Sequence, residues 1–261
     1  MFDDYGLSAR AVEVMRASAV VFIEQYTSAM PGMNLSRLAF LIGKPPVPVS
    51  RRELEEEGGK RVLEEASKAP VTLAVPGDPF VATTHVTLRG EAARVGIPTF
   101  YVPGSSVFSA AYGASGLQVY RAGPSCTVVE PTPLYHPVSQ YQKILSNMAS
   151  GLHTLVLLDI AEPGFASLTF ARAARLFTDY LAAKGVSGRS IVAVGLAGLG
   201  SLGHVAAAGT LESLSSMNVE PMPQCMVVPG VPDEAEAKAL IELGASSQEI
   251  AAHVAACKRV G

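Results

Sequence analysis

Val71-Thr72-Leu73-Ala74-Val75-Pro76-Gly77-Asp78-Pro79-Phe80-Val81-Ala82-Thr83-Thr84-His85 is the stretch from which the fold is read. Val71 to Val75 is an unbroken apolar or β-compatible run, the pattern of a fully buried strand in a parallel sheet. Pro76-Gly77-Asp78-Pro79 stops it abruptly. The prolines remove backbone donors, the glycine permits positive φ, and the aspartate can bond its own backbone. Thr83 or Thr84 is placed to cap a helix from Val86 to Val95. Open α/β sheets bind ligands at the carboxyl ends of such strands. The same residues also suit a plain β-to-α connection with no ligand.

Bulk composition agrees with a globular, core-rich chain. Of 261 residues 49% are apolar and 16% charged, and the mean hydropathy is +0.30, so the chain can fill a core, or two modest ones. The apolar runs are strand-length, which predicts no membrane span. The start, Met1-Phe2-Asp3-Asp4, is acidic where a signal peptide would be basic, and a cytosolic location follows. A net charge of −3 with scattered Lys and Arg argues against a nucleic-acid partner. Cys126, Cys225 and Cys257 lie far apart and the five histidines are dispersed, so neither a disulfide scaffold nor a metal site is legible.

Strands are expected at Ala19–Ile23, Ile97–Val102, Cys126–Glu130, His153–Ile160, Ile191–Val194 and Cys225–Gly230, with a short extended piece at Val47–Val49. Helices are expected at Ala9–Ala17 behind Ser8, and over Arg51–Lys68 around a Gly58-Gly59 break. Others follow at Val107–Tyr112, Val138–Ala149, Thr169–Ala183, from an Asp233 cap to Leu243, and at Ser247–Lys258. Pro103-Gly104-Ser105-Ser106 forms a second strand-to-helix turn. Three prolines in Pro131–Pro137 disfavour helix and central strand there. The expected organisation is therefore α/β, with an N-terminal domain over 1–130, a linker over 131–137 and a C-terminal α/β domain over 138–261. Gly198-Leu199-Gly200-Ser201-Leu202-Gly203 satisfies a dinucleotide-binding pattern. It comes late, and His204–Thr210 behind it reads as easily as a strand, so a nicotinamide site is disfavoured.

Pro76–His85 resembles the Gly-Asp-Pro motif of the tetrapyrrole methylase superfamily. With its Val-Ala-Thr-Thr-His extension it is similar to one branch, the archaeal-type diphthine synthases. Glu24, Tyr26, Thr27 and Ser28 match that family's Glu-x-Tyr-Thr-Ser segment. Ser106-Val107 matches its Ser-Ile pair, and Gly113–Tyr120 its Gly-x-x-Gly-Leu-x-x-Tyr continuation. Gly151–Asp159 and Val228-Pro229-Gly230 match further segments, so the likeness covers almost the whole chain.

The resemblance implies two α/β domains with a cofactor cleft between them, S-adenosylmethionine as methyl donor, and a homodimer. Gly77, Asp78, Val81, Ser106, Val107, Leu158, Leu199 and Gln224 fall at cofactor-contacting positions, and Asp78 is assigned to cofactor positioning. His85 is either a proton acceptor or a hydrogen-bonded structural histidine. The implied reaction methylates the amino group of a 3-amino-3-carboxypropyl-histidine in translation elongation factor 2, giving diphthine. Gln224 stands where relatives commonly carry a histidine, and Ala197–Gly200 replaces an Ala-Arg-Ala-Gly. The resemblance also implies a preceding strand and Gly-Leu-Gly-Leu turn, so a shortened numbering is expected. The alternatives are another methylase of the superfamily, acting on a corrinoid or a ribosomal RNA, and a non-catalytic cofactor-binding protein.

Overall fold

The computed structural model describes residues 2–160 and 167–260. The chain divides into two units, Met1–Val107 and Phe108–Gly261.

In the first unit the Ser8 hydroxyl accepts from the Ala11 amide at 3.1 Å and starts helix α1 (Ala9–Ala17). Strand β1 (Val20–Ile23) follows. Asn34 then caps α2 (Leu35–Ile42), which ends at Gly43 in the left-handed region, φ 78°. Asn34 and Gly43 are the cap signals for this helix, which the sequence reading does not include. Strand β2 (Val47–Pro48), a wide helical turn over Arg52–Glu56, α3 (Lys60–Ala66), β3 (Val71–Ala74) and α4 (His85–Arg94) complete the unit. The sheet runs β2-β1-β3 and is parallel throughout. Alternation along β1 builds two cores: Val21 and Ile23 pack with Met15, Leu38 and Ile42, and Phe22 packs with Val49, Leu54 and Val62.

Two expectations change here. Strand β3 exists, but among the described residues it pairs only with β1, so it lies at a sheet edge and Val71–Ala74 are half-buried. The Ile97–Val102 segment is not a strand, because nothing described supplies it with a ladder partner. A cavity of about 110 Å³ is lined by residues of both segments, among them Leu73, Val75, Gly77 and Val102.

Helix α5 (Val107–Ser115) leads into the second unit. There β4 (Cys126–Val128), α6 (Ser139–Ala149), β5 (Thr154–Leu158), α7 (Phe170–Ala182), β6 (Val192–Ala197), β7 (Val205–Thr210), α8 (Leu211–Ser215), β8 (Gln224–Val228), α9 (Glu234–Glu242) and α10 (Ser247–Val260) follow in order. The sheet order is β4-β5-β8-β6-β7, with β4 parallel to β5 and the other pairs antiparallel. The division of the chain thus precedes the expected linker. Strand β4, expected in the first domain, belongs to the second because its ladder partner is β5.

Phe170 and Phe177 of α7 lie fully buried on this sheet, and a Cβ at Gly195 would meet the Phe170 ring at 2.6 Å. The Gly198–Gly203 motif is the tip of the antiparallel β6–β7 hairpin, with Gly198 and Gly200 at φ 60° and 98°. A dinucleotide site would need a helix after it. Among the described residues no helix is long and apolar enough to cross a membrane.

Candidate functional site

The turn after β3 has the conformation its residues require, with Gly77 at φ 85°. Asp78 is 7% exposed and accepts three hydrogen bonds from the protein itself. Its Oδ1 accepts from the Phe80 amide at 2.9 Å; its Oδ2 accepts from the Tyr101 hydroxyl at 2.5 Å and the Gly104 amide at 3.1 Å. Burial alone would push this carboxyl up, but those three donors outweigh it and hold it below the usual range. The bond to Asp78 in turn pushes the Tyr101 phenol up.

The Tyr101 and Phe80 rings lie 4.9 Å apart, and the Arg89 guanidinium sits over Phe80 at 5.4 Å. A Cβ on Gly104 would stand 2.1 Å from the Gly77 carbonyl oxygen, so backbone touches backbone where the turn after β3 meets the turn at Pro103–Ser106. Val81 follows this turn, half-buried, and Ala82 holds φ 55°, the positive-φ non-glycine among the described residues. Ser106 and Val107, also half-buried, lead into and begin α5.

Glu24 lies just beyond β1 with no exposed surface. Its Oε2 accepts from the Tyr26 and Thr27 amides at 2.8 and 3.1 Å, and its Oε1 accepts from the Thr27 hydroxyl. His85 Nε2 faces the same Oε1 at 3.2 Å, and its ring meets Tyr26 edge-on at 6.3 Å. Burial raises the Glu24 carboxyl; His85, Thr27 and Tyr26 more than reverse that, and it sits low. His85 opens α4, one residue earlier than expected, behind Thr84. That threonine makes no side-chain cap; its hydroxyl donates to Glu55 at 2.9 Å.

The second unit gathers its three expected residues at one end of its sheet. Gln224 pairs with Ala197, two residues before Leu199, and Leu158 follows the Leu157–Cys225 pair. All three are buried. Gln224 spends both ends of its amide internally: Oε1 accepts from the Phe170 amide at 3.0 Å and Nε2 donates to the Val219 carbonyl at 2.6 Å. Tyr101 and Gly104 are absent from the sequence-based site. Only the Pro-Gly pair hints at Gly104; Tyr101 sits inside the expected strand.

The sequence profile described as Tetrapyrrole (Corrin/Porphyrin) Methylases matches residues 3–198. The chain belongs to the tetrapyrrole methylase family and is a methyltransferase. Within that family, proteins similar to it include diphthine synthases. The diphthine synthase of Methanosphaerula palustris is 34% identical over 229 residues, covering 88% of this chain and 89% of the relative. That of Methanosarcina mazei is 35% identical over 256 residues, covering 96% and 95%. A crystal structure of diphthine synthase aligns with a TM-score of 0.84 at 29% identity, over 100% of this chain and 96% of the other. The resemblance read from Pro76–His85 holds.

Proposed function

We propose that the chain uses S-adenosylmethionine to methylate the amino group of 3-amino-3-carboxypropyl-histidine in elongation factor 2, giving diphthine. The carrying observation is the pair of turns clasped at Asp78, in a chain whose relatives are named diphthine synthases. The residues suit such a donor. Gly77 and Gly104 present bare backbone, Val81 and Val107 offer apolar surface, and α5 begins at Val107, so the positive end of its dipole favours a carboxylate there. The reading assigns donor contacts in the second unit to Leu158, Leu199 and Gln224. It also takes the protein to act as a homodimer in the cytosol.

When bound, S-adenosylmethionine supplies a methyl group on a positively charged sulfur. The chain's part is to hold nitrogen, methyl and sulfur in line, where alignment alone is worth about 7–11 kcal/mol in well-oriented systems. An α-amino group titrates near about 8, so a useful fraction is already free base at neutral pH. His85 is 5% exposed with Nε2 against Glu24, and we assign it to holding the site rather than taking a proton. The test is transfer of labelled methyl to elongation factor 2 carrying the aminocarboxypropyl-histidine, with the unmodified factor as control. Labelling of the modified factor alone is expected; labelling of neither would sink the assignment.

A further inference from the structure

We propose that Tyr101 is a positioning residue for methyl-donor binding, setting Asp78 and the turn that carries it against the turn at Gly104. This rests on the reading of these turns as the donor site. Asp78 offers about four lone-pair sites, and three accept from Phe80, Tyr101 and Gly104. One acceptor site remains, on Oδ1, and its direction is set by the bonds that hold the rest of the carboxylate. Two of those bonds come from the second turn, and Tyr101 provides the side-chain one.

Tyr101 grips the first turn twice, through its hydroxyl to Asp78 and its ring to Phe80. The grip matters because Gly104 and Gly77 meet backbone to backbone, with no side chain between them to fix their spacing. A carboxylate already oriented by three donors reorganises little when a ligand hydroxyl or amine reaches it. Tyr101 is itself 42% exposed, so its hydroxyl is not needed to fill a core. Tyr101→Phe removes only the hydroxyl and leaves the ring against Phe80.

Binding of S-adenosylmethionine by calorimetry, with turnover at saturating donor, tests this in the full chain. Tyr101→Phe and Asp78→Asn should each weaken donor binding about tenfold, the scale of a hydrogen bond to a charged group. Turnover of Tyr101→Phe at saturating donor should stay within about twofold of wild type, a split between KM and kcat that a general loss of structure would not give. The double variant should bind only about as weakly as Asp78→Asn alone, since the Tyr101 hydroxyl acts on the donor only through the Asp78 carboxylate. Multiplying losses would overturn the proposal, as would a Tyr101→Phe variant that binds like the wild type. If Asp78→Asn does not fold, Tyr101→Phe decides alone. A wild-type chain that binds no donor would instead overturn the reading of the site beneath.

Discussion

His85 shows how a reactive side chain can be committed elsewhere. Its Nε2 lies 3.2 Å from the Glu24 carboxylate, whose other bonds come from the Tyr26 and Thr27 amides and the Thr27 hydroxyl, and both groups are buried. Removing the ring leaves Glu24 one donor short and opens space beside Tyr26. His85→Ala is therefore expected to cost about 2–4 kcal/mol of stability, visible as a lower Tm. Turnover of the protein that remains folded should stay within about tenfold of wild type. A folded variant slowed by several orders of magnitude would make His85 the base after all.

At the scale of elements, several helices were legible where a cap and an apolar stripe coincided, although α2, with its Asn34 cap and its Leu38 and Ile42 face, was passed over. Ser8 before α1, Thr169 before α7 and the Asp233–Glu236 capping box before α9 all accept the amide their spacing predicts. Strands were legible as apolar runs, but their neighbours were not. Val71–Val75 reads as a central strand, and Ile97–Val102 as another, because periodicity reports side chains and is silent about ladder partners. The turn after β3 was legible through Gly77 and Asp78, whereas Tyr101 was hidden, since a tyrosine carries no local signal of a contact 23 residues back.

Among the described residues β3 pairs on one side only, and this is measurable. Pro70 and Ala74 carbonyls accept from Ala19 and Glu24 on the β1 side, so by alternation the Leu73 and Val75 amides point to the open side. These two amides should exchange with deuterium faster than those of Thr72 and Ala74. Equal protection at all four would show that the open side is paired.

Across the whole molecule the two units answer acid differently. In the second unit His153 and His253 have no exposed surface, and each uses Nδ1 to accept a backbone amide, Gly230 at 2.9 Å and Val192 at 3.1 Å. An imidazolium has no such lone pair. Burial pushes both histidines below their usual 6.5. For His153 the bond to Glu236 opposes that shift and Arg121 reinforces it. A depressed folded-state value means stability complete above about 6.5 and lost progressively as pH falls below it. The first unit relies on Asp4, Glu24 and Asp78, all held low, so its stability is complete above about 4.5 and lost only on stronger acidification. Hydrogen exchange at pH 5.5 against pH 7.5 should loosen β6 and α10 while β1 stays protected; equal loosening of β1 would contradict this.

The open side of β3 also governs how the chain behaves in company. Leu73 and Val75 line a cavity, and among the described residues no strand pairs with β3 on that side; such an edge is a template for pairing with another chain. Parallel strands assemble slowly, so during refolding this edge stands open while other molecules are near. Recovery from denaturant is then a contest between intramolecular closure and aggregation. Dilution favours the first, and crowding the solution favours the second.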